Sequence, residues 1–320
     1  MVKMLLKDRK EYNRYAPVPF WSWNNRMEKE EIEKQIRQMY DAKYGGFIIH
    51  ARAGLNTPYM GEEWMECVET AIVLAQSLNM KVWLYDEFGF PSGLAGGINL
   101  QDESKRAQFL EYIEETSFSK DAFAVFVKNE NGFFRVEKEV GKGKYYSVYL
   151  RTSVSEVDAC NPLVAQNLIL ETYEKYYARF KKYFGDTIEG FFTDEPQYFR
   201  YATPYTKELE KVFSGDIRDG LIWLFKQDER GYGFRVEYYS LLNQLYTRNF
   251  YKIIYNWCEE HGCKLTGHTI EEPHLYTQMW GCAGAMPSYE FCQVPGIDHL
   301  CKHTDGIIDS RQVASVAAQF

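Results

Sequence analysis

Short apolar runs alternate with longer stretches of helical period along most of this chain. Val18 to Trp23 reads as a first strand, with Asn24 at its exit. Asn25 and Glu28 have the spacing of a capping pair, and Ile32, Ile36, Met39 and Tyr40 then recur at helical intervals. Gly45 and Gly46 stop that helix and lead into Phe47, Ile48 and Ile49, an apolar run closed by His50, Ala51 and Arg52. A helix over 61 to 78 carries Trp64, Val68, Ala71, Ile72, Ala75 and Leu78, and a strand from Lys81 to Tyr85 follows it and ends at Asp86 and Glu87.

Further along, Ile188 to Thr193 is a strand that stops at Asp194-Glu195-Pro196, because proline has no N–H to give to a ladder. Lys264 to His268 is the fifth strand, closely followed by Glu271 and Glu272; Met286 to Cys292 reads as the sixth, with Val294 to Asp298 as a loop. Helices are predicted from Asn161-Pro162, with Ile169, Tyr173, Tyr176, Tyr177, Phe180 and Phe184 as the buried stripe, near 204 to 214 and 216 to 228, over 235 to 260, and from Ser310 onward. Between 118 and 158 the period changes: Phe123 to Val127, Phe133 to Val136 and Tyr145 to Leu150 are β-rich runs separated by glycine-containing turns.

Strand followed by helix, with ionisable or amide side chains at successive strand ends, predicts an α/β fold of the (β/α)8 TIM-barrel type. Residues 1–117 and 159–320 would form the barrel and 118–158 a small β insertion. Six strands do not close an eight-stranded barrel and the chain ends inside a predicted helix, so the sequence reads as a truncated barrel with its last strands beyond Phe320. Barrel chemistry sits at the C-terminal ends of the strands, where Asp194 and Glu195 arrive together. Adjacent carboxylates repel, which raises one pKa towards the range of a general acid, so Glu195 is the expected acid. Glu271, Glu272 and Glu87 are the second carboxylates within reach of strand ends. His50, Arg52, Asp86, Glu87, Asp194 and His268 would line the pocket and bind hydroxyl groups, and Trp21, Trp23 and Trp280 offer rings for stacking. The glycine-rich loop Phe88 to Gly97 follows no phosphate fingerprint and reads as a shaped active-site loop.

Composition narrows the partners. A net charge of -8 and a pI near 5.4 argue against nucleic acid or an anionic membrane. No apolar run approaches the roughly 20 residues of a membrane span, and Met1 to Lys10 is too short and too quickly charged for a secretory signal, so a cytoplasmic location is expected. The seven cysteines lack CxxC spacing and read as buried reduced thiols; neither Cys258, Cys263 and His268 nor Cys301 with His303 has structural zinc spacing. Aromatic residues make 17% of the chain, enough to furnish both a core and a cleft that suits the apolar faces of a sugar ring.

Six segments, Pro19 to Asn24, Gly46 to Arg52, Trp83 to Glu87 with Pro91-Ser92-Gly93, Phe192 to Pro196, Gly267-His268 and Val294 to Asp298, resemble in this order the family 106 glycoside hydrolases, α-L-rhamnosidases and relatives often labelled as similar to β-galactosidases. The resemblance runs from about residue 17 to 318. It implies a barrel with Glu195 as a catalytic carboxylate, inversion at the anomeric carbon, a terminal sugar such as α-L-rhamnose as substrate, and calcium as an associated ion not required for the chemistry. It also implies a second carboxylate on the next strand, which this sequence does not reach, so that hydrolysis by these residues alone is in question. Two other readings use the same residues: a sugar isomerase or aldolase with magnesium, manganese or calcium held by Asp86, Glu87, Glu195 and His268, and a carbohydrate-binding fragment without turnover.

Overall fold

The computed structural model describes residues 15–298 and 308–320. In chain order its strands are β1 (Phe20–Trp23), β2 (Gly46–Ala51), β3 (Lys81–Phe88), β4 (Arg106–Glu115), β5 (Ala124–Asn129), β6 (Gly132–Arg135), β7 (Tyr145–Val157), β8 (Ile188–Asp194), β9 (Thr203–Tyr205), β10 (Lys264–His268) and β11 (Val294–Pro295). Two sheets result. One is all-parallel, in the order β1-β2-β3-β8-β10-β11, and the other is antiparallel, in the order β6-β5-β7-β4-β9.

The parallel strands follow one another in chain order, and right-handed crossovers bring their helices onto a single face. Side-chain alternation then sorts the strands. Trp23, Phe47, Ile49, Val82, Leu84, Phe191 and Leu265 are buried in one core with Trp64, Val68 and Ile72 of the helix Glu62–Ser77 and with Tyr173, Tyr176, Ile254 and Trp257 of later helices. The residues between them, from Phe20 and His50 to Phe192 and His268, occupy the opposite face. The six strands form an open sheet, and no eight-stranded closure occurs among the described residues.

Several elements differ from their sequence reading. The first helix, Lys29–Asp41, has no side-chain cap: Glu28 stands at the cap position, while the Asn25 carboxamide turns back to accept from the Arg26 N–H at 2.8 Å. Met286 to Cys292, expected as the sixth strand, is helical over Met286–Tyr289. The sixth strand is Val294–Pro295, from the expected loop. Proline is tolerated there because the strand lies at the sheet edge, and Gly296 N–H supplies the bond to Gly267 O at 2.8 Å. The antiparallel sheet begins at Arg106 rather than 118, since β4 pairs with β7 from Arg106 to Glu115 although Ala, Gln, Leu and Glu make that stretch helix-prone. Thr203–Tyr205, expected at the start of a helix, is its fifth strand; Glu208–Val212 is a short helix and Ile217–Leu224 a 3-10 helix.

The helix that starts at Pro162 is capped as expected, with Asn161 Oδ1 accepting from Leu163 N–H at 3.0 Å. It passes through a π turn, Ile169–Tyr173, into Glu174–Phe180, and the helix Tyr232–Tyr246 passes through another, Thr247–Tyr251, into Lys252–Glu260. Each π turn ends on a tyrosine that reaches a strand end: Tyr173 Oη donates to Asp86 Oδ2 at 2.8 Å and Tyr251 Oη to the His268 carbonyl at 3.2 Å. The helix Ile308–Gln319 covers the one predicted from Ser310. Cys301, His303 and the segment Met1 to Lys10 lie outside the described residues. The six described cysteines are free and buried, and no helix among the described residues is long and apolar enough to cross a membrane.

Gly190 and Gly267 let β8 and β10 approach. A Cβ on Gly267 would lie 1.9 Å from Thr193 O, and one on Gly190 would lie 1.8 Å from Lys264 O. Gly267→Ala is therefore expected to destabilise the chain by about 3 kcal/mol or more, or to prevent folding. Urea denaturation checks this, and a variant as stable as the parent would show that β8 and β10 do not pack this closely.

Candidate active site

The parallel register places Asp194 beside His268, each the last residue of its strand. Asp194 Oδ1 meets His268 Nε2 at 2.8 Å, and Asp194 Oδ2 accepts from Tyr85 Oη at 2.5 Å. Tyr85 lies on the same face of β3, and His50, on β2, stacks on its ring at 3.5 Å between centroids. Phe192 stacks on the other side at 5.9 Å and receives the edge of Phe20 at 4.8 Å. A row of rings thus floors the open face of the sheet and leads to an Asp–His pair.

Asp194 and Glu195 diverge electrostatically although they are neighbours. Burial would raise the Asp194 carboxyl, yet His268 and Tyr85 hold it below the usual aspartate value. The Glu195 carboxyl is pushed up by burial and by Asp194, against the opposing pull of His268 and Arg200. Glu195 has φ +47°, outside the β region, which breaks the strand alternation that would send it to the helix side. Its carboxylate consequently joins His268 and Asp298, with one polar atom of each within 4.8 Å of the others.

Burial would lower the His268 pKa, but Asp194 on one nitrogen and Glu272 on the other raise it well above the usual imidazole value. Its Nδ1 lies 2.9 Å from the Thr269 carbonyl and 3.5 Å from Glu272 Oε2. Glu272, expected as a catalytic carboxylate, is fully buried and committed: it accepts from Thr269 N–H at 3.1 Å, Asp298 N–H at 2.9 Å and Tyr289 Oη at 2.8 Å. Glu271 stands apart from it, half-buried on the following loop, 3.3 Å from Arg200.

The remaining predicted residues divide between the two faces. Asp86, expected at the pocket wall, lies on the helix side, where Ser92 Oγ donates to it at 2.5 Å and Tyr173 closes it off; burial pushes its pKa up to about 7. Glu87 is buried as well and clamps the glycine-rich loop, accepting from Phe88 N–H at 2.8 Å and from Ala95 and Gly96 N–H at 2.6 Å. Burial outweighs those donors and raises Glu87 to about 7. Trp23 is core, packed on Trp64 at 5.0 Å, and Trp21 Nε1–H is spent on Gln35. Trp280 is exposed. His50 keeps an unpartnered Nε2 among the described residues although its side chain is buried, and desolvation lowers its pKa to about 4. Arg52 lies over the Phe90 ring at 5.5 Å and forms no ion pair with Asp86 or Glu87.

Tyr85, Ser92 and Tyr289 were given no role at the site by the sequence, although Tyr85 and Ser92 lie in the segments that carry the resemblance. Ser92 is the staple: its N–H donates to Asp194 O at 2.8 Å and its Oγ accepts from Asp194 N–H at 2.8 Å while donating to Asp86. Counting back in twos from the strand end would have placed Tyr85 on the Asp194 face, but no spacing assigns Ser92 or Tyr289 its partner.

Among the described residues the donor set does not fit a divalent cation. Asp86 and Glu87 are satisfied by protein donors, and His268, with both nitrogens engaged, has no lone pair to offer. The other two described residues of the cluster, Glu195 and Asp298, fall well short of the six to eight oxygens that calcium takes.

No protein-family model matches the chain, and no curated protein matches it either. Among solved structures it is similar to a rhamnosidase from Novosphingobium sp. PP1Y, with a TM-score of 0.66 and 11% sequence identity. The fold is rhamnosidase-like. The likeness covers 97% of this chain and 52% of that one, so the chain spans about half the length of the solved enzyme.

Asp86, Glu87 and Asp158, which is buried against Thr206 and Cys160 and raised to about 7, all hold protons that the unfolded chain has released. More protons bound in the folded state means that stability falls as pH rises from about 4 through about 7. His268 adds to this, because its contribution is complete below the unfolded imidazole value of about 6.5 and is lost as pH climbs through its raised folded value. Denaturation should therefore show a more stable chain at about pH 5.5 than at about pH 8. Equal or greater stability at the higher pH would mean that these carboxyls are not held protonated.

Proposed function

We propose that this chain carries the acid-bearing part of a glycoside hydrolase of the family 106 type, acting on a terminal α-L-rhamnoside. The observation that carries the reading is the split between Asp194 and Glu195, adjacent carboxyls whose surroundings move their pKa values in opposite directions at the C-terminal rim of a parallel sheet. Glycoside hydrolysis needs that division, a protonated carboxyl for the leaving oxygen and a carboxylate for the other half of the reaction. Glu195 donates to the glycosidic oxygen. Asp194, locked between Tyr85 and His268, stays ionised and stabilises positive charge developing at the anomeric carbon.

Of the three second carboxylates expected from the sequence, Glu87 and Glu272 are committed to backbone N–H groups. Glu271, tied only loosely to Arg200, is the one that could activate water. His50 Nε2 and Arg52 bind sugar hydroxyls, and the exposed ring of Phe20 meets the apolar face of the sugar. The free, buried thiols suit a cytoplasmic setting. Support also comes from the likeness to the rhamnosidase fold.

The test is hydrolysis of aryl α-L-rhamnoside and β-galactoside by the chain and its variants, with the product anomer followed by NMR. Glu195→Gln should lower kcat about 10²–10⁴-fold, Glu271→Gln should do likewise, and the sugar first released from the α-rhamnoside should be the β anomer, as inversion requires. Undiminished turnover in Glu195→Gln would sink the assignment, and an α product would replace inversion with retention.

A further inference from the structure

Glu272 and Tyr289 are buried beyond the end of β10 and hydrogen-bond to each other. Glu272 fills both oxygens, Oε1 with Thr269 N–H and Tyr289 Oη and Oε2 with Asp298 N–H, and Oε2 still lies 3.5 Å from His268 Nδ1. Among the described residues the cationic partner of this carboxylate is His268, which it faces across that 3.5 Å gap. The other nitrogen of His268 points to Asp194, whose second oxygen is held by Tyr85. The groups are linked in the order Tyr289, Glu272, His268, Asp194, Tyr85, and a carboxylate oxygen of Glu195 lies within 4.8 Å of a His268 nitrogen.

We propose that Glu272 and Tyr289 are positioning residues that keep His268 as an imidazolium donating to Asp194, so that the single proton available to the Asp194–Glu195 pair resides on Glu195. The inference rests on the glycosidase reading of Glu195 and adds the device that assigns the proton. Adjacent carboxyls at one site compete for a proton, and without a fixed cation beside Asp194 the two protonation isomers approach one another in energy. A doubly protonated His268 removes the ambiguity, because its charge favours an ionised Asp194 and both Asp194 oxygens then accept, from Nε2–H and from Tyr85 Oη. The charged and titratable groups around this line are Asp194 and Glu195 at the end of β8, Arg200 on the loop beyond it, Glu272 and Tyr289 after β10, Asp298 after β11, Tyr85 on β3 and His50 on β2.

The experiment is a side-chain ¹⁵N NMR titration of the histidines in the full chain, with His268 assigned by the signal lost in His268→Gln. In the parent, His268 should remain doubly protonated at about pH 8, where an ordinary imidazole of pKa about 6.5 is almost all neutral. Glu272→Gln should lower its midpoint by at least about one pH unit, a tenfold loss of proton affinity, and Tyr289→Phe should lower it less. Tyr289→Phe keeps the ring, so it reports even if the glutamine variant unfolds. Where rhamnoside is hydrolysed, kcat in both variants should fall as pH rises through the lowered His268 midpoint, with KM little changed, whereas a merely structural defect would depress kcat evenly across pH. A His268 that is neutral at pH 8 in the parent, or a midpoint unmoved in the variants, overturns the proposal whatever the hydrolysis assay gives. The expected titration with no hydrolysis in any form would instead overturn the glycosidase reading and leave the charge arrangement standing.

Discussion

Side-chain alternation in the parallel sheet is the constraint on which everything else in this molecule depends. Successive residues of a strand face opposite ways, and here one direction is a helix-packed core and the other an open floor of rings. Tyr85 and Asp86 are neighbours in sequence, yet one holds Asp194 and stacks on His50 while the other is sealed beneath the sheet by Tyr173. Register does the remaining work, setting His268 opposite Asp194. Glu195 reaches that side only because its backbone leaves the extended region at once, with φ +47°.

Buried carboxyl groups fasten part of the rim in place. Glu87 gathers the N–H groups of the glycine-rich loop, and Ser92 in that loop exchanges two hydrogen bonds with the backbone of Asp194. The loop is therefore fastened at both ends to strands of the floor, and a carboxylate that looked like a ligand for substrate is a fastening instead. Such fully satisfied networks rigidify, whereas the same carboxylate left without donors in a low-dielectric setting would be strongly destabilising.

Much of the architecture was legible because its signals are periodic. The strands ending at His50, Asp86 and Asp194, the helix capped by Asn161 and the β-rich runs from Phe123 to Leu150 all appear where spacing put them. The misses share a cause. Arg106–Glu115 and Val294–Pro295 become strands through partners far away in sequence, β7 and β10, and local propensity cannot see a partner. At the site, the sequence told that polar groups collect at strand ends but not which face each would take. Trp23 and Asp86 fell to the inner side and Glu87 was taken up by the glycine-rich loop, whereas Asp194, Glu195, His50 and His268 fell to the open face. Deciding this needed an exact strand phase, and a single bulge, such as the one between Ile49 and Ala51 in the pairing of β2 with β3, resets it.

The fifth strand of the antiparallel sheet has a consequence for how the molecule comes into being. β9 follows closely after Glu195, whereas its partner β4 precedes β8, so the second sheet cannot be completed until the carboxylate-bearing strand has been synthesised. Loop closure over that distance makes this pairing a late event, and until it forms the segment from Gln197 to Ala202 is anchored at one end only. The rim around Glu195 thus gains one side when two sheets of opposite character meet, and the side that carries His268 only once β10, which follows β9 in the chain, has joined β8.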